Sequence, residues 1–346
     1  MTMCLAARLP TYCCEIFGLV FLDVEGFGSK RVLSKNCCAW HWIICRLCAG
    51  AYIFWRMVSE YAFNSIGFLT VPNFPASFVD YLSPFWSGAW GAIRLAAPLM
   101  LALLAAECLK PGQRLHWKTV TLNLVYAPFY LTLGVALLHP VSNAISHHLP
   151  ANVLGAGMIN GFGVTQIAWI LAYLLLFDFL FYIFHRAQHR IGFLWRFHMF
   201  HHADSNVSMS TSIRHHWMED TFRYFFISAP LIVLFGGPSN VPFWLVVSIG
   251  LSGLWIHWNM PWRLAFLHQW VVTPWYHRIH HSMEARHFDK NFAVMFPIWD
   301  RLFGTCYLPN LDELPQTGLS DLAEANAPGL LLPWPLPRRK CDGVQP

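Results

Sequence analysis

The sequence predicts an all-α, polytopic membrane protein with about four transmembrane helices, a helical hairpin and a histidine-rich helical cap on the cytosolic side. Only 12% of the 346 residues are charged and 56% are hydrophobic, whereas soluble domains have about 25% and 45–50%. The mean hydropathy is +0.41. The 28 Phe and 17 Trp residues are typical of the aromatic belts at membrane interfaces.

Four apolar segments have about the length that a transmembrane helix needs, which is roughly 17–25 residues. They are residues 42–66, 93–108, 120–138 and 164–184. Two shorter apolar segments, 222–235 and 241–258, flank a Gly-Gly-Pro-Ser-Asn turn. We interpret these two as a helical hairpin that either crosses the membrane or dips into it.

The distribution of Lys and Arg predicts the orientation, because these residues favour cytosolic connections. They occur in connections 109–118, 185–221 and 259–309 and are absent from 139–163 and 236–242. One alternating topology satisfies all five connections. We therefore expect a multi-pass protein of the bacterial inner membrane, or of the endoplasmic reticulum in a eukaryote. The net charge of +5 includes no dense basic run, which argues against nucleic-acid binding.

Three regions are expected along the chain. Residues 1–41 form an N-terminal segment that we expect to be poorly ordered, and Met57 is an alternative start. Seven of the ten cysteines lie in the first 48 residues, and their spacing predicts free thiols rather than a metal site. Residues 42–310 form the membrane-embedded catalytic domain, with a histidine core at 164–307. Residues 311–346 form a Pro-rich C-terminal tail.

Three histidine clusters dominate the chain, with the sequences HRAQH, HMFHH and HRIHH. Histidines three or four residues apart lie on one face of a helix, so each cluster can aim two or three imidazoles at one point. Eight imidazoles exceed what one metal ion needs, which indicates two ions. The candidate ligands are His185, His189, His198, His201, His202, His277, His280 and His281.

Asp178 and Tyr182 precede the first cluster on one helical stripe with His185 and His189, at spacings of four, three and four residues. A carboxylate within a span is costly and usually functional. We predict that Asp178 and Tyr182 act beside the metals, because a carboxylate behind a ligating imidazole fixes its orientation. They could also line the substrate channel. The alternative is an Asp that packs between helices with its hydrogen bonds satisfied by a neighbour.

Three further residues join the candidate site. His257 ends the second hairpin limb and points back towards the cytosolic face, so we add it as a ligand. His216 and Glu219 lie three residues apart and could share a face; we add His216 as a ligand and Glu219 as a catalytic residue. An imidazole-rich site suits iron, copper, zinc or nickel. Spacing alone does not separate iron from zinc.

Residues 98–307 resemble the fatty acid hydroxylase/sterol desaturase superfamily of membrane di-iron oxidases, and most closely a bacterial sterol-desaturase-like member. The resemblance is carried by HRAQH, HMFHHAD, SIRHHWME, WIHWN, HRIHHS and DKNFAVMFPIWDRLFGTCY. It implies that the eight cluster histidines bind two iron ions, and that His216 and His257 match family histidines. Asn291-Phe292-Ala293 departs from the Asn-Tyr-Gly that is frequent in relatives.

The resemblance implies an oxidoreductase that uses O2 as co-substrate and hydroxylates or desaturates a C–H bond of a membrane lipid. The substrate class would be a sterol, a fatty acyl chain, an ether lipid or a carotenoid. No cytochrome b5-like domain is visible in the sequence, so electrons would come from a separate reductase, ferredoxin or cytochrome b5-like protein. Two alternatives stay open: a zinc-dependent membrane hydrolase, and a metal-binding or transport protein.

Overall fold

The computed structural model describes five stretches of the chain, which are residues 98–148, 153–154, 163–236, 241–310 and 312–319. The chain divides into two units, Met1–Tyr81 and Leu82–Pro346, and the first lies outside the described residues. The predicted N-terminal segment 1–41 and the candidate span 42–66 lie there as well. The C-terminal tail beyond residue 319 is likewise outside the description.

Throughout these stretches the chain is helical and contains no strand. The α-helices are α1 (Pro98–Leu109), α2 (Trp117–His148), α3 (Val164–Arg190), α4 (Gly192–His202), α5 (Glu219–Arg223), α6 (Ala229–Phe235), α7 (Phe243–His257), α8 (Pro274–His280) and α9 (Ile298–Leu302). Single 3-10 turns lie at Met209–Ile213, Ala265–Leu267 and Ala285–His287, and a π turn at Tyr224–Ser228 joins α5 to α6. The all-α prediction is confirmed for this part of the chain.

Helix α3 is the one described helix that is long and apolar enough to cross a membrane, with 27 residues and a hydropathy of 2.2. It contains the predicted span 164–184. One face carries a stripe of exposed apolar side chains three, four or eight residues apart, as expected for a surface that meets lipid. These side chains belong to Val164, Ile167, Leu171, Leu175 and Ile183.

The other predicted membrane segments are helical wherever the structure describes them. Helix α2 covers the predicted span 120–138, and α1 covers 98–109 of the region predicted at 93–108. The hairpin limbs correspond to the π turn with α6 and to α7. Whether each of these helices crosses the bilayer remains a prediction.

Short breaks in the helices bring the three histidine clusters together. Ile191 adopts an extended conformation, with φ −102° and ψ 109°, and so separates α3 from α4 after a single residue. Helix α8 starts at Thr273, whose side-chain oxygen accepts the Tyr276 N–H at 3.2 Å, and Pro274 follows in the first turn. Both are favourable helix starts. The sequence therefore fixes where each histidine helix begins or ends.

Candidate metal centre

Five buried histidines from three helices form one group, which we name set A. Their ligand nitrogens all lie within 4.8 Å of one another. The Nε2 atoms of His185 and His198 are 3.1 Å apart, and those of His202 and His280 are also 3.1 Å apart. Set A consists of His185, His189, His198, His202 and His280.

Four further buried histidines form a second group, set B: His201, His257, His277 and His281. The Nε2 of His257 lies 3.1 Å from the Nε2 of His201 and 3.1 Å from that of His277. The Nε2 of His277 is in turn 3.2 Å from that of His281. The four nitrogens therefore converge on one point.

Each HxxHH cluster divides its histidines between the two sets. In HMFHH, His198 and His202 belong to set A and the middle His201 to set B. In HRIHH the assignment is reversed, because His277 and His281 belong to set B and His280 to set A. Residues i and i+4 point in about the same direction on a helix, whereas residue i+3 points in a different direction from residue i+4. Each HxxHH cluster thus aims two imidazoles at one point, within the expected two or three, and its third imidazole joins the other set.

The hydrogen bonds of His201 and His257 in set B show that their Nε2 atoms present lone pairs to one another. The Nδ1 of His201 donates to the carbonyl oxygen of Arg214 at 3.2 Å, and the Nδ1 of His257 donates to that of Gly253 at 2.8 Å. A carbonyl only accepts, so Nδ1 carries the proton in both rings and Nε2 is a bare acceptor. Two acceptors 3.1 Å apart repel one another unless a cation lies between them. The donor set therefore fits a metal ion.

Set A has the same character. The Nδ1 of His185 donates to the carbonyl oxygen of Phe292 at 2.8 Å, and the Nδ1 of His280 donates to that of Lys290 at 2.9 Å. The Nδ1 of His198 donates to a Glu219 carboxylate oxygen at 3.2 Å. Each of these three rings thus directs an unprotonated Nε2 into the set.

Burial favours the metal-binding form of these rings. It is the largest factor that holds the pKa of His201, His202 and His281 well below the ordinary histidine value, and the neighbouring imidazoles lower these pKa values further. Desolvation disfavours the imidazolium. The rings are therefore neutral at neutral pH, which is the state that binds a metal.

Glu219 lies behind the histidines rather than among them. Its carboxylate is buried and accepts from His198 at 3.2 Å, from His215 at 3.3 Å and from Arg223 at 3.2 Å. Burial acts to raise the pKa of Glu219, but His215 and His198 outweigh it, so the pKa lies well below the usual range. The carboxylate is therefore ionised and fixes the His198 ring.

Asp178 and Tyr182 contact the chain after the third cluster instead of the metal-facing nitrogens. Asp178 accepts the backbone N–H groups of 294, 295 and 296 at 3.1, 2.9 and 2.9 Å. The Tyr182 hydroxyl lies 3.0 Å from the Thr305 hydroxyl and accepts from Arg186 at 3.1 Å. The expected direct contact of Asp178 with a ligating imidazole is replaced by the alternative, a buried carboxylate satisfied by neighbouring backbone.

Of the adjacent histidines 215 and 216, the structure places His215 against a set B histidine, whereas His216 was the expected ligand. His216 is buried, its Nδ1 accepts the Met218 N–H at 3.1 Å, and it belongs to neither set. His215 instead stacks on His201 with ring centroids 4.4 Å apart and planes 9° apart. The spacing of two adjacent histidines before a turn does not reveal which one faces the centre.

The first residues of the predicted tail also belong to the site, which the sequence did not indicate. The N–H of Met283 donates to the carbonyl oxygen of Gln316 at 2.9 Å, and Ser282 pairs with Thr317 in an isolated bridge. Gly318 has φ +117°, and a Cβ there would meet Ser205 at 3.2 Å, so the close approach favours glycine. Residues 316–319 thereby border a cleft of about 50 Å³ whose walls include His189, His202 and His280.

Metal content tests the two candidate ligands that lie outside the three clusters, which are His257 and His216. We expect His257→Ala to lower the bound metal, because it removes one of four imidazoles of set B. We expect His216→Ala to leave the metal-to-protein ratio unchanged, since the ring lies outside both sets. Elemental analysis of the purified variants measures both ratios, and equal losses would contradict this division.

Nine buried histidines converge in two sets, and His185 and His189 of set A lie near the end of the apolar helix α3. Each of these sets of imidazoles could hold a metal ion. Residues 170–305 match the family model described as "Fatty acid hydroxylase". The match covers 136 of the 346 residues and agrees with the family resemblance that the histidine motifs indicate.

Curated relatives include human alkylglycerol monooxygenase, 34% identical over 128 residues. They also include the ornithine lipid hydroxylase OlsE of Rhizobium tropici, 32% identical over 136 residues, and human cholesterol 25-hydroxylase, 34% identical over 142 residues. The alignments cover 37%, 39% and 39% of this chain, and 28%, 41% and 50% of the respective relatives. No solved structure matches the chain significantly.

Proposed function

We propose that the chain is an O2-dependent di-iron oxidase that hydroxylates a C–H bond of a membrane lipid. The observation that carries the proposal is the convergence of two sets of imidazoles, in which bare Nε2 atoms lie about 3 Å apart. The match of residues 170–305 to the fatty acid hydroxylase family supports it. Iron is favoured because the relatives are a monooxygenase and two hydroxylases. Desaturation is the alternative outcome at the same site.

The metals would be held by set A and set B, which together contain the eight cluster histidines and His257. When bound, two irons supply activation of dioxygen with two external electrons. The protein supplies orientation. Backbone carbonyls and Glu219 fix which ring nitrogen carries the proton, and burial keeps the rings neutral. No step requires a histidine to change its protonation state.

Phe292 closes one side of set A and excludes water from it. The Phe292 ring is fully buried and lies 5.2 to 5.6 Å from the rings of His185, His189 and His280. Its carbonyl oxygen binds the Nδ1 of His185 at 2.8 Å. One residue thus orients a ligand and shields the set, which favours oxidation of a substrate carbon over side reactions with solvent.

The proposed substrate is a lipid that stays in the bilayer. Set A begins at the end of the apolar helix α3, so a reacting carbon could reach it from the membrane. The relatives act on an alkylglycerol, an ornithine lipid and cholesterol, which together favour hydroxylation of a lipid with a polar head. We also propose the multi-pass, cytosol-facing arrangement within domain 42–310, and a separate electron donor of the reductase, ferredoxin or cytochrome b5-like type.

The deciding experiment incubates the purified, metal-loaded chain with a lipid extract, with and without O2 and a reducing system. We expect iron in the protein and an O2-dependent product that is one oxygen atom heavier than its precursor. A product two hydrogens lighter would identify a desaturase. Activity with zinc alone and without O2 would identify a hydrolase, and metal binding without any lipid product would support a transport or storage role.

A substitution of Glu219 provides a more specific test of set A. We expect Glu219→Gln to weaken metal retention by set A about 10–100-fold, because a carboxylate behind an imidazole raises its basicity and fixes its orientation. Asp312→Asn is a suitable control, since Asp312 is exposed and belongs to no group of side chains that could hold a metal ion. Dialysis against graded chelator measures retention, and identical curves for the two variants would refute the role of Glu219.

A further inference from the structure

The chain after the third cluster, residues 291–307, packs against α3; we name it the closing segment. The ring of Trp299 lies 4.8 Å from that of Phe179, and the ring of Phe303 lies 6.2 Å from it. Phe303 also stacks on Tyr182 with centroids 5.4 Å apart. The short helix α9 therefore covers α3 at the level of residues 179–182.

This level lies within the predicted span. A helix rises about 1.5 Å per residue, so Phe179 is about 7 Å inside the end of the span at residue 184. Phe179 is half-buried and lies in line with the exposed stripe of α3, because it follows Leu175 by four residues and precedes Ile183 by four. Helix α9 therefore occupies a place beside α3 that lipid occupies along the rest of the stripe.

The outward face of α9 is apolar. Ile298 and Leu302 are one turn apart, and their exposed fractions are 51% and 68%. They continue the apolar surface that α3 presents through Leu175 and Ile183. Arg301 is exposed on the same helix, and its long side chain can extend to the headgroups while its stem stays in the apolar layer.

The backbone of the closing segment is satisfied as chain at membrane depth must be. Five consecutive N–H groups, those of residues 292–296, donate to two buried carboxylates. Asp300 accepts the first two at 2.8 and 3.0 Å, and Asp178 accepts the other three. The carbonyl oxygen of Asp300 accepts the N–H groups of Thr305 and Cys306 at 2.8 and 3.0 Å. Irregular backbone with these bonds can lie beside lipid without exposing bare amides.

We propose that α9 and its flanks form a membrane-inserted surface, whose partner is the acyl layer of the leaflet next to the histidine centre. This inference rests on the membrane placement of α3 in the proposed function. The closing segment would then line the substrate's path together with α3. The same segment that meets acyl chains also provides the Phe292 carbonyl oxygen that binds His185.

Photo-crosslinking of the full-length protein tests this surface. p-Benzoylphenylalanine replaces Leu302, or Ile298 if the first variant does not fold, and the protein is reconstituted in phosphatidylcholine vesicles. The same label at Leu171 reports on the α3 stripe. The control is Leu314, which is also an exposed leucine, at 41%, but borders a polar cleft with Glu284, Arg286 and Asp312.

We expect lipid adducts by mass spectrometry at 302 and 171, at least ten-fold above those at 314. Adducts at 171 with none at 302 would overturn the inference and leave the membrane placement of α3 intact. Adducts at neither position would overturn both. Equal adducts at 302 and 314 would also overturn it, because the label would then report access rather than insertion.

Discussion

Replacing His280 by alanine is expected to abolish lipid oxidation and to lower bound iron from two towards about one per chain, because set A loses one of its imidazoles. His201→Ala is expected to do the same through set B. The two rings come from different clusters and different helices, yet each variant should leave the other set filled. Iron per chain and product per enzyme measure the two effects on the same preparation.

The control for these variants is another buried histidine that lies outside both sets. His268 is 3% exposed and its Nε2 lies 2.8 Å from the carbonyl oxygen of Arg263. His268→Gln can keep a hydrogen bond to that carbonyl and should retain both metals and activity. Full activity of either His280→Ala or His201→Ala would sink the site assignment. Loss of all metal in the His268 variant would show instead that any buried histidine change unfolds the protein.

The local parts of the site follow from the sequence. Apolar periodicity and length predict α3, and a spacing of four puts His185 and His189 on one face of it. Helix starts and breaks are equally local, since a single extended residue, Ile191, separates two histidine helices. Where functional residues are neighbours on one helix, as His185 and His189 are, the structure agrees with the direction that their sequence spacing predicts.

The division of ligands between two sets could not be predicted, because it depends on how α4 and α8 are rotated against one another. His201 and His280 each cross to the set that their cluster neighbours do not occupy. The exchange of His215 for His216 has the same origin, since the rotation of the turn before α5 decides which ring stacks on His201. Spacing fixes relative directions within a helix, and only packing fixes the direction of the helix itself.

The Pro-rich composition after residue 310 does not indicate whether the chain packs against the site. Such composition predicts a chain without regular structure, and 312–319 indeed contains no helix. Absence of a helix did not prevent packing, because two contacts at Ser282 and Met283 and the left-handed Gly318 hold the strand-like chain against the cleft. Periodicity is informative about secondary structure and silent about irregular segments that dock.

The second large effect is expected at Asp178. In Asp178→Asn one carboxylate oxygen becomes an NH2 group that faces backbone N–H donors of residues 294–296, so at least one buried donor loses its acceptor. An unsatisfied buried donor costs about 1–3 kcal/mol. We therefore expect the variant to lose about 1–3 kcal/mol of stability, visible as a lower melting temperature in detergent.

The metal content of the same variant tests how Asp178 acts. The first of the amides that it holds, that of residue 294, follows Phe292 by two residues and Lys290 by four, and the carbonyl oxygens of Phe292 and Lys290 bind His185 and His280. Both rings belong to set A, so we expect set A to empty first and iron to fall towards about half. Asp312→Asn, an exposed carboxylate, should change neither property. Unchanged iron content of Asp178→Asn, or loss of iron from both sets in step with unfolding, would show that Asp178 does not position set A, because a positioning role requires selective loss from a chain that is still folded.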